Sequence, residues 1–208
     1  MLALVLGRIG CFLNGCCFGK PTQLPWDIRF PYGSFAYRSQ IYWNPKRNRL
    51  QPQLELPAEF SVYRNNENGI QPQHLKAYDE LTKEQKNMVD HGQYRCLPIH
   101  PTQLYSSANA ALLCFILYVF WRRSPITGNS RNTKKLFTKP GLKFCLAFIL
   151  YGITRFLMEF LREDNPFEHA SWAIYRGGTV SQNLGIYMAI FGLVLMLIFQ
   201  RMRTQQPK

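Results

Sequence analysis

Charge is missing altogether from two stretches of this 208-residue chain, 17 residues at 105–121 and 18 at 183–200. Runs of that length exclude a solvated surface helix and approach the ~20 apolar residues that cross a bilayer. Acid is missing from a third stretch. Residues 122–142 hold Arg122, Arg123, Arg131, Lys134, Lys135 and Lys139 with no Asp or Glu among them, and Lys143 follows. No internal repeat is evident, which argues against a transporter built from inverted repeats. Paired CxxC spacing is absent too: Cys11, Cys16 and Cys17 read C-x4-C-C, with no obvious His partners, an unusual pattern for zinc. The start, MLALVLG, lacks the basic head, full apolar core and small-residue cleavage site of a leader. It reads instead as the last turns of a helix whose beginning is missing.

What is present is a concentrated apolar content. Hydrophobic residues make up 47% of the chain, yet mean hydropathy is only -0.19. The two uncharged runs and the segment KFCLAFILYGITRFLMEFLRE predict about three transmembrane helices, with residues 1–22 forming the end of a fourth and a Gly/Cys-rich segment. The fold class expected is therefore an all-α integral membrane protein. A long irregular arm, 23–99, separates the first helix from a membrane domain at 100–203, and 204–208 form a tail. Within the arm, 75–90 predict a short surface helix with T-K-E-Q at its centre.

The formal charge of +13 points to nucleic acid only if its placement is ignored. The basic residues cluster near 122–143 and at Arg201, Arg203 and Lys208, beside the apolar runs. Such clusters mark the cytoplasmic side. The C-terminus is then cytoplasmic and 20–99 extracytoplasmic. That segment carries 11 basic and 8 acidic residues, so it shows no competing bias.

Cys114 and Cys145 fall in apolar runs and read as packing. Cys11, Cys16, Cys17 and Cys96 fall at or beyond the outer face. A Cys96 disulfide to Cys16 or Cys17, a metal site, or simple packing are the readings open for them.

Polar residues inside apolar segments carry the functional signal. Tyr151, Arg155, Glu159 and Arg162 are spaced i, i+4, i+8 and i+11, one face of a helix. An arginine at bilayer depth costs ~2.5–3.5 kcal/mol on insertion scales, so it usually has a polar task there. Arg8 and Asn14 lie in the glycine-rich start. His100, Gln103 and Tyr105 lie at the head of an apolar run, and Gln182 opens the last one. Converging guanidinium groups bind phosphate through paired hydrogen bonds. The phosphate at hand near a leaflet surface is a phospholipid head group. The blander readings are an Arg155–Glu159 pair that only fixes packing, Arg162 as an interfacial anchor, and His100 as a turn residue.

Four segments in order, GRIGCFLNGCCFGKPT, HPTQLY, YGITRFLMEFLRE and GGTVSQ, resemble the prolipoprotein diacylglyceryl transferase family. Arg8, Asn14, Gly15 and Gly19 match its first motif. His100, Gln103 and Tyr105 match its HP[ST]QLY motif, and Tyr151, Arg155 and Glu159 its later polar helix face. Cys11, Cys16 and Ser106 depart from residues common in the family. The resemblance implies a bacterial inner-membrane, multi-pass enzyme with a cytoplasmic C-terminus. It implies transfer of the diacylglyceryl group of phosphatidylglycerol to the lipobox cysteine of a preprolipoprotein signal peptide, with glycerol phosphate released. Arg8, Tyr151, Arg155, Glu159 and His100 become the expected catalytic residues. Arg8, Asn14, Gly15, Gly19, Gln103, Tyr105, Arg162 and Gln182 become the expected substrate contacts. Such a displacement needs no cofactor or metal, and no nucleic acid is expected as a partner. The family's earlier spans have no counterpart in this chain. The expectation is the C-terminal portion of a longer enzyme, with another chain as a candidate source of the missing spans, or an inactive relative that still binds anionic lipid or lipoprotein precursors.

Overall fold

The computed structural model describes residues 2–66, 69–123 and 141–201. Most of the basic segment, 124–140, and the tail with Arg203 and Lys208 lie outside the described residues. Six α-helices are described: α1 Leu2–Asn14, α2 Phe35–Ile41, α3 Lys83–Asp90, α4 Thr102–Arg123, α5 Leu142–Glu159 and α6 Val180–Arg201. Two strands, β1 Ser61–Asn66 and β2 Gly69–Leu75, pair antiparallel. The chain divides into two compact units. One comprises Met1–Ile9, Leu104–Leu161 and Asn165–Lys208; the other comprises Gly10–Gln103 and Arg162–Asp164.

The first unit is helical. Among the described helices, α4 and α6 are long and apolar enough to cross a membrane, and α1 is a shorter apolar helix. Helix α5 is 18 residues long but carries Lys143, Arg155 and Glu159. Length and composition thus identify two candidate spans where the sequence reading expected about three. Helix α1 is tied to α4 where the Ser107 hydroxyl donates to the Val5 carbonyl at 3.1 Å. Helices α5 and α6 pack antiparallel through glycine. A Cβ added at Gly152 would lie 2.5 Å from the Gly185 carbonyl oxygen, and one at Gly192 would lie 2.9 Å from that of Cys145. Backbones approach this closely only where side chains are minimal, the usual glue of helices in lipid. Helix α6 opens with a reciprocal cap. The Thr179 N–H donates to Gln182 Oε1 at 2.9 Å, and the Gln182 N–H donates to Thr179 Oγ1 at 3.3 Å.

The second unit gives the arm its own apolar cores, around Tyr37, around Phe18, Ala36 and Ile99, and around Phe60. The Tyr37 hydroxyl donates to the Tyr94 carbonyl at 2.8 Å, which satisfies the buried phenol. The unit is not wholly irregular, and the β-hairpin departs from a purely helical expectation. Its surface helix is also shorter than 75–90. Leu75 closes β2, and T-K-E-Q starts α3 rather than centring it. Thr82 is the N-cap, accepting from the Gln85 N–H at 3.2 Å while Gln85 Oε1 accepts from the Thr82 N–H at 3.0 Å.

None of the six cysteines is in a disulfide. Cys96 is buried with Tyr37 and Leu54, and its thiol faces Gln40 Oε1 at 3.5 Å. Burial pushes that thiol above its ordinary pKa. Of the readings open for Cys96, packing is the one observed.

Candidate active site

Within the helical unit, three elements converge on one small cavity. Arg8 comes from α1, Ser106 and Asn109 from α4, and Tyr151, Thr154 and Arg155 from α5. Leu4, Ala110 and Met158 close its apolar side. The order follows from helical spacing. Tyr151 and Arg155 stand one turn apart on α5, and Leu4 and Arg8 stand one turn apart on α1. Two guanidinium groups, a phenol, two hydroxyls and an amide therefore share one space. The cavity holds about 30 Å³, room for a water-sized group.

Behind the cavity lies a polar relay. Arg155 Nη2 is 3.6 Å from Glu159 Oε2, and the Glu159 carboxylate is fully buried. Arg155 also donates to the Ser181 hydroxyl. The Asn165 side-chain amide donates to Glu159 Oε1 and to Ser181 Oγ, the latter at 3.3 Å. A buried carboxylate persists only when a cation and hydrogen-bond donors replace its lost water. Glu159 has both, and the arrangement holds Arg155 toward the cavity. Thr154 is engaged locally, donating to the Leu150 carbonyl at 2.9 Å.

The other expected contacts fall elsewhere. Helix α5 ends at Glu159, so Arg162 leaves the face it was expected to share. It belongs to the second unit, where its guanidinium forks onto Asp164 at 2.9 and 2.7 Å. Two arginines clamp its segment. Arg47 Nε donates to the Glu163 carbonyl at 3.1 Å, and Arg49 Nη1 donates to Glu163 Oε1 at 3.0 Å. Gln182 is spent on capping α6, and the neighbouring Asn183 binds the Tyr175 backbone through both ends of its amide. Tyr105 is half-buried in the first turns of α4.

Asn14, Gly15, Gly19, His100 and Gln103 all belong to the second unit. Asn14 is exposed at the end of α1. Gly15 adopts φ +70, which closes the helix as glycine does at little cost. Gly19 lies against His100, where an added Cβ would sit 2.5 Å from the His100 carbonyl oxygen. The half-buried His100 is held through its main chain, its N–H donating to the Lys20 carbonyl at 3.0 Å. Gln103 is fully buried, and its amide donates to the Cys16 carbonyl at 2.8 Å.

Sequence reasoning missed Asn109, Thr154, Asn165 and Ser181 in the site, and Arg47 and Arg49 in the clamp. Asn109 carried a readable signal, an amide inside an uncharged run. Ser181 lay within the GGTVSQ segment without being singled out. Arg47 and Arg49 had none, because their partner Glu163 is more than a hundred positions away.

Residues 1–198 match the Prolipoprotein diacylglyceryl transferase family. The chain is 28% identical over 205 residues to a phosphatidylglycerol–prolipoprotein diacylglyceryl transferase of Burkholderia multivorans, covering 97% of this chain and 52% of that protein. It is 29% identical over 204 residues to the protein of the same description in Clostridium tetani, covering 98% and 51%. The chain spans about half the length of the curated relatives it matches. No solved structure matches it.

Proposed function

Because the chain belongs to the prolipoprotein diacylglyceryl transferase family, we propose that it carries the phosphate-gripping part of a membrane transferase. The reaction moves the diacylglyceryl group of phosphatidylglycerol to the lipobox cysteine thiol of a preprolipoprotein. The carbon–sulfur bond forms as the bond from the glyceryl carbon to the phosphate oxygen breaks. Glycerol phosphate leaves with the bonding pair, and the thiol proton passes to a base. One observation carries the reading: Arg8 and Arg155, from different helices, line one cavity with Tyr151.

In this mechanism both guanidinium groups bind the phosphate and offset the charge that grows on it as it departs. Donors fixed in place before the reaction are the largest single source of such stabilisation. Water exclusion strengthens each contact. Tyr151 adds a hydrogen-bond donor, while Glu159, Asn165 and Ser181 hold Arg155 in position. The attacking species is the substrate thiolate. His100 is our candidate for the base, as an imidazole just ahead of α4. The lipid outsizes the cavity as it stands, so binding opens the space between α1, α4 and α5.

The proposed setting is the bacterial inner membrane, with 20–99 on the extracytoplasmic side and Arg122, Arg123, Lys143 and Arg201 on the cytoplasmic side. The test is transfer of labelled diacylglycerol to a lipobox peptide by membranes carrying this chain, alone and with the upstream half of a relative. Arg155→Ala is expected to lower transfer by about 100- to 1,000-fold. Transfer by that variant at the parent rate would overturn the role of Arg155.

A second reading rests on the half-length match and on Cys11, Cys16 and Ser106. It makes the chain a lipid- or precursor-binding relative without turnover. Bound phosphatidylglycerol with no transfer, even with the upstream half present, would select it.

A further inference from the structure

The cysteines near the end of α1 take no part in the reaction proposed above, yet the fold gathers three of them. The Sγ atoms of Cys11, Cys16 and Cys17 all lie within 4.8 Å of one another, and each residue is half-buried. The C-x4-C-C spacing argues against a metal only while the chain is read as a line. Here α1 ends at Asn14, and the chain turns back over its own last turn. The Gly15 N–H donates to the Phe12 carbonyl and the Cys16 N–H to the Cys11 carbonyl, both at 3.1 Å. Gly15 and Cys17 both adopt positive φ, +70 and +58. The turn thus places two successive thiols beside the one on the helix.

The turn is fixed from outside as well. The buried Gln103 amide donates to the Cys16 carbonyl at 2.8 Å, and the Thr102 hydroxyl donates to the Cys17 carbonyl at 2.7 Å. A non-glycine residue at positive φ is strained and persists only where its surroundings over-determine it. Two buried side chains, each spent on one cysteine carbonyl, supply that constraint. Metal sites depend on supports of this kind, which orient ligands before the ion arrives.

We propose that Cys11, Cys16 and Cys17 form a three-thiolate site for a soft closed-shell cation, copper(I) or zinc(II). Thiolate is the ligand that selects such ions over magnesium or calcium. At a zinc–sulfur distance of ~2.3 Å, tetrahedral ligands stand about 3.8 Å apart. Side-chain rotations that shorten the sulfur separations by at most about 1 Å therefore bring the three thiolates to ligand spacing. Copper(I) is satisfied by three thiolates, whereas zinc(II) takes water as its fourth ligand. Binding releases three protons. The filled site carries two net negative charges with copper(I) or one with zinc(II). The site stands apart from the transfer reaction and holds whether or not that reaction is catalysed.

The test uses the full chain, purified in detergent under reductant and titrated separately with zinc(II) and copper(I) against a colorimetric chelator. One ion per chain is expected for at least one metal. Cys11→Ser, Cys16→Ser and Cys17→Ser should each weaken binding by about 100-fold or more, while Cys114→Ser leaves it unchanged. Cys11→Ser keeps the test sound if the turn variants fail to fold, because Cys11 lies within the helix rather than in the strained turn. Failure to retain either ion would overturn the proposal. So would equal affinity in the serine variants, or a disulfide among these thiols in the reduced protein, read as a mass lower by two hydrogens.

Discussion

Arg155 shows how one side chain serves a site and a fold together. Its guanidinium lines the cavity, and it is also the cationic partner of the fully buried Glu159 carboxylate. Removing a partner from a buried pair costs about 3–5 kcal/mol, so Arg155→Ala weakens the fold as well as the site. Arg8 lines the same cavity from α1, which makes Arg8→Ala a second, independent probe of phosphate binding. Asn165→Ala should separate positioning from contact, since Asn165 reaches Glu159 and Ser181 rather than the cavity. It leaves a buried acceptor without its donor and should cost about 1–3 kcal/mol. A fall in melting temperature in detergent, together with reduced transfer, is the expected result. Unchanged melting would show that the amide does not support Glu159. Arg8, Tyr151, Arg155 and Glu159 were legible because polar groups in apolar helices stand out. Asn165, Arg47 and Arg49 were not, because nothing local distinguishes an amide or arginine in a polar stretch.

At the scale of elements, helices α4, α5 and α6 were legible from hydropathy, while their ends were not. The helix ends at Glu159 rather than running through Arg162, so the i+11 position was never on its face. Arg162 instead bridges main chain to main chain with Gly19, and its segment is clamped by Arg47 and Arg49. The hairpin was hidden for a different reason. Pro72 lies within β2, opposite the irregularity at Val62 and Tyr63, and proline within a run usually argues against a strand. The α5–α6 pair gives the sharpest prediction at this scale. Gly152→Leu or Gly185→Leu would drive a side chain into facing backbone, since even a Cβ would stand 2.5 or 2.7 Å from the opposite carbonyl oxygen. Overpacking of this kind costs ~1–3 kcal/mol or more. A disulfide engineered across α5 and α6 should form readily in the parent and poorly in either leucine variant. Equal cross-linking would contradict the packing described.

At the scale of the whole molecule, orientation rests on arginine and lysine beside the apolar helices, and most of that basic segment lies outside the described residues. Cys96 is a poor reporter of sidedness because it is buried. Lys83→Cys places a thiol on the exposed face of α3. It should react with an impermeant reagent added to the outer face of the inner membrane. Reaction only from the cytoplasmic side would reverse the topology. The arm's compact cores were not legible in advance, because they depend on contacts as distant as Tyr37 with Tyr94. The measurement that bears most directly on the whole account is the phosphatidylglycerol retained by the purified chain, quantified by mass spectrometry for the parent and for Arg8→Ala/Arg155→Ala. The account predicts that the parent keeps the lipid and the double variant loses most of it while zwitterionic lipid is unchanged. Equal retention of phosphatidylglycerol by both proteins would contradict it.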